Sequence, residues 1–413
     1  MFKTLLNKLQ ENYFLSFIYL YIFIMPWNFS NGIMGLSSII LLVWWLIIGR
    51  RKSYFFKLKN IFKFKPLLFF ILFLLWSYLS LLWTEDFEWA EIALKYYKYY
   101  WIMIPVLFTT LSKEEALNAF YIFIISLGIY ALFSVSIALG IVEILDSTTN
   151  PNSTANPRGI LSYAIVTPYM AIATLSALFM ALRSKTFTIK LLFAFISLIA
   201  LVALFLNNGR AGQFAFISTL FILFIIYRRY IFNIKILLGI IFTILLASYI
   251  LTSTGKIDRL LLGLQEIQEP EKTNYSGSFN VRIYLWKAAI ELIPNHPIIG
   301  SGTGDNINEF IEYTKTHPSG ATWIRTYHNQ HLDTLTKYGI IGYLLLWGSV
   351  ISLLISLRKY KYYFTLALIF FSITFFDALG DIILLMKPYN NIFMLLFLLF
   401  SIISFYEKSP RKD

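Results

Sequence analysis

Two histidines stand close together at one point of the chain, in the stretch HNQHLDTLTKYGIIG from His328 to Gly342. The chain has only four histidines, and a long apolar run follows these two. Histidine can act as a general base, because its unperturbed pKa of about 6.5 lies near neutral pH. Leu332 and Leu335 follow His328 at helical spacing, which predicts that its imidazole lies on the inward face of a helix.

Three interpretations of His328 remain open. It is a structural histidine, one ligand of a metal site shared with His331, or a general base. A metal would need further ligands, but Asp333 would face another side of the helix and the chain has no cysteine. The metal is therefore the least favoured of the three, and the base could be either histidine. His296 and His317 are interpreted as ordinary polar residues of a loop.

Three arginines could bind an anion. Arg210 stands in LFLNNGRAGQFAF, Arg282 stands in NVRIYLW with Trp286 one helical turn later, and Arg158 stands in NPRG. A guanidinium is planar and always charged, so it suits a diphosphate better than an ammonium does. Arg210 could bind an anion together with exposed backbone N–H groups of its neighbouring glycines. It could also reach to a lipid phosphate at the membrane surface.

Two carboxylates, Asp377 and Asp381, stand four residues apart in DALGDII, near the end of an apolar run. Carboxylates are costly inside a membrane and usually face a polar cavity or a cation. A functional role and an ion pair with a structural basic residue are both consistent with this spacing.

The elements that must position these residues are membrane helices. Of the 413 residues, 58% are hydrophobic and 14% are charged, whereas soluble domains carry about 25% charged residues. Apolar runs long enough to cross a bilayer recur from end to end. The sequence therefore predicts an all-α polytopic membrane protein with about twelve transmembrane helices. The predicted spans are 13–29, 33–49, 66–84, 98–111, 120–141, 161–182, 191–207, 212–227, 236–253, 338–357, 364–386 and 391–406.

The basic residues predict which way the helices run. With a cytoplasmic N-terminus, 22 of the 35 Lys and Arg residues fall on the inner connections and on the two tails. This distribution follows the positive-inside tendency of membrane proteins. Both termini are therefore predicted to be cytoplasmic. The net charge of +13 is explained by topology, which argues against a nucleic-acid partner.

One predicted outer connection is much longer than the others, so the chain divides into three parts. Residues 1–253 hold transmembrane helices one to nine, 254–337 form a large periplasmic loop, and 338–413 hold helices ten to twelve and a cytoplasmic tail. Long loops are usually functional or form small domains. Within this one, GSGTGD predicts a turn. The spacing of Ile283, Trp286, Ile290 and Ile293 predicts an amphipathic helix that is ended by Pro294 and Pro297.

Three motifs follow one another along the second half of the chain. Arg210 lies at the outer end of a span, the run from Arg282 to Gly304 follows, and His328 and Asn329 then precede nine residues and GIIG. Gly339 and Gly342, which bound GIIG, predict close packing of the helix that follows. With these motifs the chain resembles the bacterial O-antigen ligase and O-antigen polymerase superfamily, and is most similar to the ligases.

The resemblance implies a metal-independent, inverting glycosyltransferase of the GT-C type that needs no cofactor. Such an enzyme moves a glycan from undecaprenyl diphosphate to a sugar hydroxyl of lipid A-core, among membrane lipids, at the periplasmic face of the bacterial inner membrane. By position, His328 would be the base, and Arg210 and Arg282 would hold the donor diphosphate. Asp381 matches an aspartate of the family. Further candidates for supporting roles are Arg158, Trp286, Asn329 and His331.

Other functions remain as alternatives. An O-antigen polymerase, which joins repeat units on the same carrier, shares the fold and much of the motif. Protein O-oligosaccharyltransferases form a third branch whose members are usually longer. Outside enzymology, a lipid-linked oligosaccharide flippase would also have about twelve spans, but it would be expected to show an internal repeat and no dominant external loop.

Overall fold

The computed structural model describes residues 12–143, 153–231, 234–255, 257, 261, 278–318 and 326–408. Within these ranges the chain forms sixteen α-helices joined by turns and short 3₁₀ segments. In chain order the helices are α1 (Tyr13–Ile24), α2 (Asn31–Gly49), α3 (Tyr54–Lys63), α4 (Lys65–Leu79), α5 (Phe87–Leu94), α6 (Lys98–Thr110), α7 (Lys113–Ala138), α8 (Tyr163–Arg183), α9 (Phe187–Leu206), α10 (Arg210–Ile231), α11 (Ile234–Ser253), α12 (Ser278–Leu292), α13 (Asn306–Thr316), α14 (Gln330–Leu357), α15 (Lys361–Asp377) and α16 (Lys387–Lys408).

Each predicted span coincides with one of these helices, so the prediction of an all-helical membrane protein is confirmed. Among the described residues, eight helices are long and apolar enough to cross a bilayer. The count of twelve spans stays a prediction, and the two predicted cytoplasmic tails, 1–11 and 409–413, lie outside the described residues. The eleventh predicted span was too long, because α15 ends at Asp377 and turns follow as far as Lys387.

The helices pack around a large core rich in aromatic side chains. Helix α16 is buried along most of its length, which places it in the middle of the bundle. Its first turn is tied to α6, since the hydroxyl of Tyr100 donates to the Asn390 side-chain oxygen at 2.6 Å. The first turns of α6 and α16 therefore lie side by side at the same end of the bundle.

Helix α14 begins eight residues before the predicted span and is broken at Gly339. Gly339 has φ of +60° and ψ of −167°, a conformation open to glycine and costly for other residues. A Cβ at this position would collide with the backbone of Ile298 and Ile299. Gly342 lies against Trp76 of α4 and Tyr338 of its own helix. Gly339 therefore allows a loop segment to approach α14 closely, and Gly342 allows α4 to do so.

The segment 297–302 supplies hydrogen-bond partners for backbone groups that the break in α14 leaves unpaired. The N–H groups of Ile340 and Ile341 donate to the carbonyls of Pro297 and Ile298, at 2.9 and 3.2 Å. In return, the N–H of Ser301 donates to the carbonyl of Thr336 at 2.9 Å. Unpaired backbone is tolerated at membrane depth only where protein or water covers it. The loop thus fixes the first half of α14, which carries the histidine motif.

The described part of the long connection folds as a small cap of two helices, α12 and α13. Its apolar cluster is formed by Tyr284, Leu285, Ala288, Ala289, Phe310 and Tyr327. The predicted helix is therefore present, but the predicted buried face is wrong, since Ile290 is 61% exposed. We call the end of the bundle that this cap covers the loop end. The carboxylate of Asp305 accepts from the backbone N–H groups of Glu85 and Asp86 at 2.8 to 3.0 Å, which fastens the cap to the bundle.

Candidate functional site

His328 lies just before the first turn of α14, at the point where the cap enters the bundle. Its φ is +46°, so its backbone is left-handed, which is uncommon for a residue other than glycine. The expectation that His328 continues the helical spacing is therefore wrong, because the helix starts two residues later, at Gln330. Tyr327 fixes the preceding position, since its buried hydroxyl donates to the carbonyl of Asn306 at 3.0 Å. A strained residue held from both sides is typical of a functional site.

Asn329 is the N-cap of α14. Its side-chain oxygen accepts from the backbone N–H groups of His331 and Leu332 at 3.0 and 3.2 Å. An asparagine at this position satisfies N–H groups that the first turn of a helix leaves free. Its contacts therefore assign Asn329 to the start of the helix, next to the histidine.

Gln330 ties the histidine motif to the turn between α15 and α16. Its backbone N–H donates to the carbonyls of Ala378 and Asp381, at 2.8 and 3.1 Å. Its side-chain oxygen accepts from the backbone N–H of Leu384 at 2.9 Å. Sequence analysis missed this residue, whose only signal was its place inside the histidine motif. Through Gln330, the turn that carries Asp381 is fixed beside His328.

Three charged or titratable side chains from separate parts of the chain converge at this point. The Nδ1 of His328 lies 3.8 Å from Oδ1 of Asp381, and the same oxygen lies 3.9 Å from an Nη of Arg282. The Nε of Arg282 also donates to the carbonyl of Gly380 at 3.1 Å. Both separations from Asp381 exceed hydrogen-bonding distance, so the carboxylate acts on its neighbours by charge.

The imidazole of His328 is arranged so that one side is covered and the other is accessible. Its Nδ1 is buried and faces Asp381, while 39% of the side chain is exposed. The ring edge that carries Nε2 is therefore the one that an incoming molecule could reach. A base needs this arrangement, because it must contact the proton that it accepts while a second group orients its ring.

Arg210 is the first residue of α10, which starts next to the turn that carries Asp381. A Cβ on Gly380 would lie 3.0 Å from the Cβ of Ala211, so the two backbones are in close contact. Arg210 is partly exposed, and within the described ranges its guanidinium has no ion-pair or hydrogen-bond partner. Arg210 therefore immediately precedes a residue that contacts the turn at Gly380, and it is available to an anion.

The glycines next to Arg210 do not have the role that was expected of them. Gly209 and Gly212 were predicted to expose backbone N–H groups, but both are buried against the start of α8. A Cβ on Gly212 would lie 2.5 Å from the backbone nitrogen of Pro168. These glycines let α10 approach α8 closely, and so they position Arg210 without binding an anion themselves.

Two of the candidate supporting residues pack against the surrounding protein. Arg158 is only 7% exposed, and its guanidinium donates to the carbonyl of Leu161 at 2.8 Å within its own loop. Burial lowers the pKa of Arg158. Trp286 packs against the apolar cluster of the cap, one turn along α12 from Arg282. Both residues therefore support the surrounding structure.

His331 occupies a very different environment from His328. It is 7% exposed, and its ring stacks on Trp347 with centroids 4.9 Å apart. Both ring nitrogens are engaged: Nε2 lies 3.0 Å from the carbonyl of Phe375, and Nδ1 lies 3.2 Å from the hydroxyl of Tyr343. These contacts favour a structural role for His331 and leave His328 as the accessible histidine.

Replacing His331 with alanine is expected to destabilise the protein more than it impairs the chemistry. The change removes a buried ring and leaves a carbonyl and a hydroxyl without partners, at a cost of about 2 to 4 kcal/mol. Thermal unfolding of the purified protein should shift to lower temperature, while the folded fraction keeps transfer activity. His317→Ala, which alters an exposed histidine of the cap, is the matched control. Loss of transfer without loss of thermal stability would instead point to a direct role for His331.

The other carboxylates near the site face away from it or are enclosed. Asp333 pairs with Lys337 at 2.8 Å, and both side chains are buried. Asp377 is fully buried, and neither of its carboxylate oxygens has a hydrogen-bond partner among the described residues. Of the two carboxylates for which an ion pair was one alternative, Asp381 lies 3.9 Å from Arg282, and Asp377 has no ion pair among the described residues. Within the same ranges, no group of three or more His, Asp or Glu side chains is placed to hold a metal ion.

The fold and the site define a multi-pass helical membrane protein with a charged site under a cap at one end of its bundle. Residues 195–347 match a family model described as O-antigen ligase. This part of the chain is therefore similar to the O-antigen ligase family, which confirms the resemblance inferred from the motifs. The match includes Arg210, Arg282 and His328, and it ends before Asp381. No curated protein matches the chain.

Proposed function

We propose that this protein is an O-antigen ligase of the bacterial inner membrane, acting at the periplasmic face. It transfers a glycan from undecaprenyl diphosphate to a sugar hydroxyl of lipid A-core. The observation that carries the proposal is the convergence of His328, Asp381 and Arg282 at the mouth of the bundle, with Arg210 beside them. Such a site offers a base and two guanidiniums to the polar head group of an amphiphile whose tail lies in the membrane.

The proposed reaction is a displacement at the anomeric carbon of the donor sugar. His328 removes the proton of the acceptor hydroxyl through Nε2, and the acceptor oxygen attacks the anomeric carbon. The bond from that carbon to the diphosphate oxygen breaks, and attack opposite the leaving group inverts the configuration. Asp381, 3.8 Å from Nδ1, stabilises the imidazolium that forms. The new glycosidic bond and the free undecaprenyl diphosphate are the products.

Arg210 and Arg282 would bind the diphosphate and neutralise the charge that develops as it leaves. Guanidiniums can donate two parallel hydrogen bonds to phosphate oxygens, which fixes position as well as charge. Groups of this kind are held in place by the folded protein before negative charge develops on the leaving group. They therefore need little rearrangement during the reaction. In this proposal the protein's own side chains supply both the base and the charge stabilisation, and the reaction requires no metal.

The test is deletion of the gene in the source bacterium, followed by gel analysis of its lipopolysaccharide and extraction of lipid-linked glycans. A ligase mutant should show bare lipid A-core and should accumulate long polymer on undecaprenyl diphosphate. Core that carries a single repeat unit would instead identify a polymerase. Bare core together with single lipid-linked repeat units that remain on the cytoplasmic face would identify a flippase and contradict both transferase functions.

A further inference from the structure

Three lysines form a cluster at the loop end of the bundle, apart from the arginines. Lys95 and Lys98 are exposed at the connection between α5 and α6, and Lys387 is the first residue of α16. The Nζ atoms of Lys98 and Lys387 lie 5.6 and 5.4 Å from the centroid of the same ring, that of Tyr99. The two ammonium groups are therefore at most about 11 Å apart, and Lys95 precedes Lys98 by three residues, with its Nζ 5.0 Å from the centroid of the Tyr96 ring. We call these three residues the lysine cluster.

The position of the lysine cluster is electrostatically unusual. It lies on the face predicted to be periplasmic, where membrane proteins carry fewer basic residues. Lys98 and Lys387 are also the first residues of their helices, where the helix dipole is positive and disfavours a cation. The tyrosine rings offset part of this charge but carry none of their own. No ion pair between described residues includes Lys95 or Lys98, so a negative group of a ligand would stabilise the cluster.

Lys387 of the lysine cluster is linked to the histidine motif through the turn between α15 and α16. The side chain of Gln330, two residues after His328, contacts the backbone of Leu384 at 2.9 Å. Lys387 follows Leu384 by three residues, a distance that the chain covers in about 11 Å at most. Arg282 donates to the carbonyl of Gly380, seven residues before Lys387, and Arg210 immediately precedes Ala211, whose Cβ lies next to Gly380. Two anionic groups could therefore bind at the same time, one at the arginines and one at the lysines.

We propose that the lysine cluster binds a phosphate group on the head of the acceptor glycolipid. The proposal rests on the function proposed above and adds a binding site for the second substrate. Ammonium groups bind phosphate as point charges, which suits a phosphate monoester, whereas paired guanidiniums suit the donor diphosphate. The acceptor then approaches His328 from the side of α16, while the donor occupies the side of α10.

The test measures lipid binding rather than transfer, so that it does not depend on the proposed reaction. Full-length protein in phosphatidylcholine nanodiscs is supplied with lipid A carrying two phosphates or with the same lipid after phosphatase treatment. Retained lipid is quantified by native mass spectrometry. The wild type should prefer the phosphorylated form, and the double variant Lys95→Gln/Lys98→Gln should weaken this preference about tenfold or more. Both changed residues are exposed, so the variant should fold normally.

The matched control is Lys185→Gln/Lys190→Gln, which removes the same charge from the connection between α8 and α9 and from the first turn of α9, at the opposite end. It should keep the wild-type preference, and Lys95→Arg/Lys98→Arg should keep most of it. Equal binding of phosphorylated and dephosphorylated lipid by the wild type would overturn the proposal. So would equal retention of phosphatidylglycerol, which would indicate a general site for anionic lipids. If the lipopolysaccharide gel excludes a ligase but the wild-type protein still prefers phosphorylated lipid A, the ligase function is contradicted. The phosphate-binding site is supported in that case.

Discussion

Replacing His328 with alanine is expected to lower the rate of glycan transfer by about 10²- to 10⁴-fold, the usual contribution of a positioned general base. The reason is geometric: His328 is the histidine whose outer ring edge is accessible, while its buried Nδ1 faces Asp381. The measurement is transfer by purified protein from a lipid-diphosphate donor to lipid A-core, with the amount of polymer-bearing core followed over time. The apparent Tm of the variant should stay within a few degrees of that of the wild type.

A second substitution at the same position separates loss of the base from damage to the backbone. His328 has a left-handed backbone, which asparagine adopts more readily than most residues do. His328→Asn should therefore preserve the local fold and still lose transfer to the same extent as the alanine variant. His317→Ala, in the cap but exposed and away from Asp381, should transfer at the wild-type rate. If His328→Asn keeps most of the activity, His328 shapes the entrance to α14 and does not act as a base.

The helices themselves could be predicted from the sequence, because a bilayer imposes a minimum length on an apolar run. This constraint is local, so it located α7 and α9 without any knowledge of their neighbours. The buried face of α12 could not be predicted in the same way. Its partners, Phe310 and Tyr327, lie outside the helix and enter the apolar cluster only when the cap folds. Apolar spacing alone therefore favoured Ile290, which is exposed.

The same distinction applies to the candidate site. The residue types can be seen in short stretches of sequence, whereas their arrangement in space depends on contacts between distant parts of the chain. Residue types predicted a base and anion-binding arginines, and the described side chains of Arg282, His328 and Asp381 do converge. Their convergence depends on contacts such as that between Arg282 and Gly380, which are 98 residues apart. The choice between two histidines three residues apart also required the structure. It depends on where α14 begins, and Asn329 sets that point by capping the helix.

Replacing Arg282 with lysine is expected to lower kcat by about 10²- to 10³-fold, although the charge is kept. Removal of one preorganised donor from a developing negative charge typically has an effect of this size. Lysine cannot reproduce the planar group, which donates through Nε to the Gly380 carbonyl while an Nη lies 3.9 Å from Asp381. Steady-state kinetics should therefore show a fall in kcat larger than any rise in KM for the donor.

Inhibition by the product distinguishes a direct contact with the diphosphate from a purely structural role. If Arg282 and Arg210 both hold the diphosphate, Arg282→Lys and Arg210→Lys should each weaken inhibition by undecaprenyl diphosphate, and the double variant should weaken it further. Arg183→Lys, at the end of α8 that lies away from the cap, is the matched control and should leave kcat and inhibition unchanged. A fall in kcat with unaltered product inhibition would mean that Arg282 acts by holding Asp381 and the turn at Gly380. Full activity in both lysine variants would reduce the two arginines to simple counter-charges, because any cation could then neutralise the leaving group.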